Sequence, residues 1–183
     1  MNFKLGPNQI AVIFIVLLAV IALVQLGGIA PHRWQTYSSP DGTFTVELPG
    51  KPTTQVRPVA REGGGTVLLH SVHVQSIGNR YYSCSYSEID TTNPRTPDQI
   101  LEAARDGGVS RVQGTVVSQN RLTVHGFPAL QYHARTGKNM SMDSRIIVVK
   151  DRLYMLMAVS GAGQIAEAAT INRIFDSFKP TPK

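Results

Sequence analysis

Alternating apolar and polar residues beyond residue 32 predict a series of short strands. In residues 43–48 (TFTVEL), Phe44, Val46 and Leu48 share one face, which is typical of a half-buried strand. Five further segments, separated by turn residues, also have strand character: 54–60, 66–75, 81–89, 115–124 and 128–136. Most connections between them have hairpin length, which favours antiparallel pairing.

Two later segments carry apolar residues at consecutive positions instead. They are residues 145–150 (RIIVVK) and 153–160 (LYMLMAVS), joined by a tight turn. Strands of this kind are buried on both faces, so both sides of the sheet must be covered.

Two segments have helical spacing. The first has Thr96 as a possible N-cap, Pro97 at the first helical position and Gln99 to complete a capping box. Its apolar spacing continues through a Gly-Gly pair to about residue 112, and a second helix is predicted over residues 164–175. The order of strands, helix, strands and helix predicts an α+β fold with an antiparallel sheet, whose opposite faces the two helices can cover.

The first thirty residues show a continuous apolar run. Residues 10–26 (IAVIFIVLLAVIALVQL) contain Gln25 as their only polar residue, and residues 27–30 extend the run. Its length is about 21 residues, or about 30 Å of helix, which matches the hydrocarbon core of a bilayer. We therefore predict a short tail over residues 1–9, one transmembrane anchor over residues 10–30, and a folded domain over residues 32–183.

A cleaved signal peptide is the alternative interpretation, with Gly28-Ile29-Ala30 as a small-x-small cleavage site. The run is longer than the 7–15 residues typical of a signal-peptide core, which favours an uncleaved anchor. Lys4 lies in the tail before the run. This positive charge favours an orientation that places residues 32–183 outside the cytoplasm, in the periplasm or at the cell surface.

Composition excludes several function classes. The chain has 183 residues and a net charge of +6, but its basic residues are dispersed and are not interleaved with aromatic ones. We therefore predict no nucleic-acid binding. The single cysteine, Cys84, excludes an intramolecular disulfide and a thiolate zinc site. Its place between Tyr82 and Tyr86 on an inner strand face predicts a small buried hydrophobe rather than a nucleophile.

The histidines give no clear metal site. His70 and His73 are three residues apart in a strand, so they point to opposite faces and cannot chelate one ion together. His133 could approach one of them across the sheet, and His125 lies in a turn. We expect neither a metal nor another cofactor.

No catalytic motif is visible either. Gly161-Ala162-Gly163 lacks the Lys-Ser/Thr of a phosphate-binding loop, so it is interpreted as a strand-to-helix turn. Asp98 and Glu102, the nearest acidic pair, lie on a solvated helix face. No Gly-x-Ser-x-Gly elbow occurs.

Four turn and core segments form a recognisable set: FTVELPGKP at residues 44–52, GFPA at 126–129, DRLY at 151–154 and FDSFK at 175–179. They resemble segments of PsbP-like domains, the superfamily of the photosystem II extrinsic subunit and of LpqN-type lipoproteins. The resemblance covers residues 34–180. It implies an α/β/α sandwich with a central antiparallel sheet and two main helices, and members with binding or assembly roles rather than catalytic ones. It identifies no functional residue in this chain.

These observations predict a membrane-anchored, extracytoplasmic binding or assembly-factor domain without catalytic activity. Its partner would be either a protein in the same membrane or a small ligand between sheet and helix. The alternative is a small ligand- or metal-dependent enzyme whose site is assembled from dispersed residues. In that case His73, His133 and an acidic residue should converge in one pocket.

Overall fold

The computed structural model of the protein describes residues 33–60, 65–76, 79–90, 95–162 and 167–181. The predicted tail and anchor, residues 1–9 and 10–30, lie outside these ranges. No helix within the described ranges is long and apolar enough to cross a membrane.

The described residues form two helices and ten strands, in a mixed α+β fold as predicted. The helices are α1 (Pro97–Arg111) and α2 (Ala168–Ser177). The strands are β1 (Trp34–Ser38), β2 (Phe44–Pro49), β3 (Thr53–Ala60), β4 (Thr66–Ser76), β5 (Arg80–Glu88), β6 (Thr115–Val124), β7 (Phe127–Arg135), β8 (Ser141–Val149), β9 (Arg152–Ser160) and β10 (Lys179–Pro180).

Seven strands make one large antiparallel sheet in the order β3-β4-β5-β9-β8-β7-β6. The other three form a small antiparallel sheet with β2 between β1 and β10. In β8 the consecutive residues 146–149 are all buried, which confirms the prediction for that apolar run. Such burial requires material on both faces of the large sheet.

Each face of the large sheet has its own apolar core. On one face α1 packs over a core that includes Leu101, Leu130 and Ile146. On the other, α2 and the small sheet share a core that includes Phe44 and Phe175. The two helices thus lie on opposite faces, but the small sheet contributes much of the second layer, which the sequence pattern did not predict.

The start of α1 follows its predicted capping box. The Thr96 hydroxyl accepts a hydrogen bond from the Gln99 backbone N–H, and the Gln99 side chain accepts one from the Thr96 N–H at 2.9 Å. The helix continues through the Gly-Gly pair to Arg111, as predicted. A Cβ atom on Gly108 would lie 3.1 Å from the Tyr132 hydroxyl, so glycine lets the helix pack closely on β7.

The boundaries of α2 differ from the prediction. Glu167 has an extended backbone, and the helix runs from Ala168 to Ser177. The predicted first turn at residues 164–166 lies outside the described ranges. Strands β1 and β10 were not predicted, because β1 has no apolar alternation and β10 has only two residues.

An ionic cluster around Asp41 joins the two sheets. Asp41 lies in the turn before β2, and its carboxylate accepts hydrogen bonds from Arg152 on β9 (2.6 Å), the Tyr86 hydroxyl (3.2 Å) and the Thr43 hydroxyl (2.8 Å). The Arg152 guanidinium also lies 4.8 Å from the centre of the Tyr86 ring. Burial raises the pKa of Asp41, but hydrogen bonds from Arg152, Ser39 and Thr43 outweigh it, so the pKa lies well below its usual range.

Candidate functional site

A polar depression opens on the large sheet beside its edge strand β6. Its volume is about 370 Å³. The residues that line it come from three adjacent strands: Ser118, Gln119, Asn120, Gln131, Tyr132, His133 and Asp143. They offer hydroxyl, amide, imidazole and carboxylate groups, which suit a ligand or a polypeptide with hydrogen-bonding groups.

Strand register brings three of these side chains into one row. His133 on β7 lies opposite Ser118 on β6 and opposite Asp143 on β8. A β-bulge between Val116 and Ser118 shifts the register, so Ser118 rather than Val117 stands opposite His133. Val117 is left with 60% of its surface exposed.

His133 and Asp143 form the central pair of the depression. The His133 Nδ1 atom lies 2.9 Å from Asp143 Oδ1. Because a carboxylate only accepts hydrogen bonds, Nδ1 carries the hydrogen of this bond, and Nε2 points away from Asp143. The Ser118 hydroxyl makes no hydrogen bond to the His133 ring in this structure, although Ser118 is the next residue in the row. The pair can hold a donor group or act as a base.

The floor of the depression is tied to α2. Arg145 on β8 donates hydrogen bonds to Gln131 (Oε1, 2.9 Å) and to Asp176 on α2 (Oδ1, 2.9 Å). Its guanidinium lies 5.1 Å from the centre of the Phe175 ring. These contacts fix Gln131 and connect the site to the core of that face.

The two edges of the large sheet differ in their ability to pair with another strand. Most residues are exposed in both edge strands, β6 with ten residues and β3 with eight, so exposure does not distinguish them. Strand β3, at the other edge, contains Pro58, which has no N–H to donate. Arg121 on β6 bonds Asp98 and Glu102 of α1, so this side chain is held by the helix. The β6 edge is therefore the more open one.

The structure separates His73 from His133. They lie four strands apart in the sheet order, which corresponds to about 19 Å at about 4.8 Å per strand. His73 also stacks on Tyr81 on the α1 face, whereas His133 lies on the other face. The expectation that His133 could approach His70 or His73 was wrong, because its partner is Asp143. The convergence required by the enzyme alternative does not occur in this form.

The other candidates lie apart from the depression. His70 stacks on Tyr86 with ring centroids 4.6 Å apart, on the face opposite to His73, which confirms that these two histidines diverge. His125 lies in the β6–β7 turn, with Nε2 3.0 Å from the Phe178 carbonyl oxygen. Within the described ranges, no three His, Cys, Asp or Glu side chains are grouped to hold a metal ion.

The surroundings of Cys84 and of the Asp98–Glu102 pair also favour a structural role for these residues. Cys84 is fully buried, and burial raises the pKa of its thiol far above the usual value. Both carboxylates of the pair bond Arg121 on the protein surface.

Sequence reasoning missed Asp143 and Ser118. The predicted strand began at residue 145, whereas β8 begins at Ser141 and includes Asp143. The sequence offered little signal there, because residues 141–144 (SMDS) contain only one apolar residue, Met142. The bulge that places Ser118 opposite His133 leaves no clear mark in the sequence.

Comparison with known proteins supports the fold. No protein-family model and no curated protein matches the chain. Among solved structures, it is similar to a cyanobacterial PsbP protein (CyanoP) from Synechocystis sp. PCC 6803, with 14% identity, a TM-score of 0.56, and coverage of 86% of this chain and 98% of that chain. It is also similar to a Pseudomonas aeruginosa protein of unknown function, with 8% identity, a TM-score of 0.46, and coverage of 82% and 99%. The similarity to CyanoP confirms a PsbP-like fold.

Proposed function

We propose that this PsbP-like protein is a single-pass, membrane-anchored, extracytoplasmic domain that binds a protein partner and catalyses no reaction. The proposed partner is a protein of the same membrane, which contributes an extended segment to the β6 edge. The observation that carries the proposal is the open β6 edge with the polar depression beside it. An extended segment there would gain main-chain hydrogen bonds from the edge and side-chain contacts from the depression.

Membrane anchorage is proposed from residues 10–30 and from the start of the fold. Only three residues, 31–33, separate the predicted anchor from Trp34 at the start of β1. The Arg173 guanidinium lies 4.1 Å from the centre of the Trp34 ring, which ties the start of β1 to α2. So short a connection would hold the domain at the membrane surface and raise its effective concentration toward partners in that membrane.

The test is photo-crosslinking of the full chain in its native membranes. A photo-reactive amino acid replaces Val117 on β6 or, as a matched control, Val56 on β3, which have exposures of 60% and 56%. We expect a discrete crosslinked product at position 117 and none at position 56. The product should disappear with N120K, which adds a charge beside the β6 edge, and persist with T54K on the other edge.

Equal crosslinking at both positions, or a product at position 117 that N120K leaves unchanged, would contradict the proposed interface. The membrane part is tested separately by alkaline extraction. Release of the full chain into the soluble fraction would contradict the anchor while leaving the interface open to test.

A second candidate function, ester or amide hydrolysis, rests on the row Ser118–His133–Asp143. The order of these residue types matches a nucleophile, a base and a group that orients the base. For this candidate, a fluorophosphonate probe is expected to label Ser118. The labelling rate is expected to fall at least about tenfold in H133A. The hydrolysis candidate would be contradicted if the probe labels nothing, or if it labels S118A to the same extent as the unmodified chain. Binding would then be the function proposed for the depression.

A further inference from the structure

One end of the large sheet carries basic residues in a continuous row. Strand register aligns five residues across neighbouring strands there: Arg80 on β5, Ser160 on β9, Ser141 on β8, Arg135 on β7 and Thr115 on β6. Each of them is the first or the last residue of its strand, so the row marks the end of the sheet. It contains two arginines and no acidic residue.

The neighbouring turn and helix add further positive charge at this end. The Gly137 N–H donates a hydrogen bond to the Val112 carbonyl oxygen at 3.0 Å, so the chain that leaves α1 lies against the β7–β8 turn. This contact brings Arg111, the last residue of α1, to the same end as Lys138 in that turn. Both residues are exposed, as is Arg135.

The start of the fold lies at the same end. Trp34, the first residue of β1, pairs with Pro49. The next residue, Gly50, lies against β4, since a Cβ atom on it would be 2.9 Å from Val74 Cγ1. Val74 is two residues from the end of β4, whose last residue pairs with Arg80 of the row. The start of β1 is therefore close to this end of the sheet.

Two exposed basic residues accompany this connection. Arg33 immediately precedes Trp34, and Lys51 immediately follows Gly50. The basic residues gathered here are called the basic end: Arg33, Lys51, Arg80, Arg111, Arg135 and Lys138. None of them pairs with a carboxylate of the described residues, whereas several arginines elsewhere in the domain do. They are dispersed in the sequence, and the strand order brings them together.

The carboxylates do not balance this charge. Glu88, the last residue of β5, and Asp151, in the β8–β9 turn, lie at the opposite end of the sheet. Asp106 and Asp143 lie nearer to the basic end, but each is bonded by a neighbouring side chain. Glu167, just before α2, is exposed, but the positive charges of the basic end outnumber it. The end therefore presents a surface of predominantly positive potential.

We propose that the basic end rests on anionic lipid headgroups of the membrane that holds the anchor, an inference that rests on the proposed anchorage of residues 10–30. The predicted anchor ends a few residues before Trp34, so this connection holds the basic end closer to the bilayer than the rest of the domain. Anionic lipids give the bilayer a negative surface potential, which attracts basic residues held near it. Because the six side chains pair with no described carboxylate, docking breaks no such ion pair.

Docking in this way orients the site proposed for the protein partner. The strands of the large sheet run away from the basic end, so they stand roughly upright on the membrane. Strand β6 begins in the row and has ten residues, which correspond to about 33 Å. Its open edge then rises from the bilayer, where an extended segment of a protein in the same membrane can pair with it.

The test measures which end of β6 approaches the headgroups in the full chain. T115C and T123C replace exposed threonines about 25 Å apart on this strand, the first at the basic end and the second toward the opposite end. A fluorophore is attached to the introduced cysteine, since Cys84 is fully buried. The chain is reconstituted in vesicles of phosphatidylcholine and phosphatidylglycerol that contain a lipid with a nitroxide quencher on its headgroup.

We expect the fluorophore at position 115 to be quenched at least about threefold more strongly than the one at position 123 at low salt. This ratio should fall toward one at about 1 M salt, where screening shortens the range of the attraction to about 3 Å. It should also fall when phosphatidylglycerol is left out, because the surface then carries no net negative charge.

Two double variants identify the charges responsible. K51Q/K138Q removes two positive charges from the basic end, and the matched control K150Q/K179Q removes two from the β8–β9 turn and β10, at the opposite end. The first should lower the salt concentration at which the quenching ratio is half lost by at least about twofold. The control should change this concentration by less than about 1.2-fold.

Two results would overturn the docking while leaving the anchor intact. One is equal quenching at positions 115 and 123 in phosphatidylglycerol vesicles at low salt. The other is an equal shift in the two double variants, which would indicate a general effect of net charge. Failure of the anchor is recognised separately, because the chain would then not float with vesicles of phosphatidylcholine alone, and that result would contradict both proposals. Circular dichroism and thermal unfolding establish that each variant is folded.

Discussion

Replacing Phe44 by alanine is expected to lower the free energy of unfolding by about 3–5 kcal/mol. Phe44 is 3% exposed and lies at the centre of an aromatic group that joins the small sheet to the large one. Its ring centroid lies 5.6–5.9 Å from those of Tyr37, Tyr86, Tyr154 and Phe178. Truncation removes these contacts and leaves a cavity that rigid strands on both sides cannot fill.

Urea unfolding of residues 32–183, which contain both cores, measures this loss. The matched control is V56A on the exposed face of β3, where a change within about 0.5 kcal/mol is expected. A loss for F44A close to that of V56A would show that the small sheet contributes little to the stability of the domain.

Replacing Asp41 by asparagine is expected to cost about 2–3 kcal/mol at pH 7, because Arg152 loses its charged acceptor while it remains partly buried. The side chains of Asp41 and Arg152 are 30% and 24% exposed, so the pair is only partly screened by solvent. The Tyr86 hydroxyl also loses a charged acceptor. Its pKa is raised to about 12 by burial and by the charge of Asp41, so it remains a donor at neutral pH.

The contribution of Asp41 should depend on pH in a defined direction. Its pKa is lower in the folded protein than the value of about 3.9 for an unfolded chain, so the unfolded state takes up the proton first as pH falls. The stabilisation is complete above about pH 5 and is lost progressively below about pH 4.

Unfolding measured between pH 7 and pH 2.5 should therefore show a smaller loss of stability for D41N than for the unmodified domain. D98N is the control, since Asp98 pairs with Arg121 at the exposed surface, where ion pairs contribute little. Parallel pH profiles for D41N and the unmodified domain would show that Asp41 is not the group responsible.

The sequence predicted those elements in which local and tertiary preferences agree. Helix α1 has its own capping box at Thr96, and β8 carries an apolar run that burial on both faces explains. In β9 the predicted burial on both faces is incomplete, because Leu153, Met155 and Met157 are only partly buried. Strand β1 was missed because its pairing with β2, rather than its own pattern, makes it a strand. Local patterns do not encode such long-range pairing.

The candidate site was less predictable than the fold. His133 was recognised as a polar residue within a strand, but its partner depends on the register between β7 and β8.

The small sheet also affects the order in which the domain can form. Strand β2, near the start of the fold, pairs with β10 at Lys179–Pro180, and the fully buried Phe178 completes the same core. During synthesis, more than a hundred residues must follow β2 before this partner strand is available. The core on the α1 face involves segments closer in sequence and can assemble earlier. Until the last residues arrive, the β10 edge of β2 has no partner strand and Phe178 is missing from the core, so a chaperone that shields this edge would act in this interval.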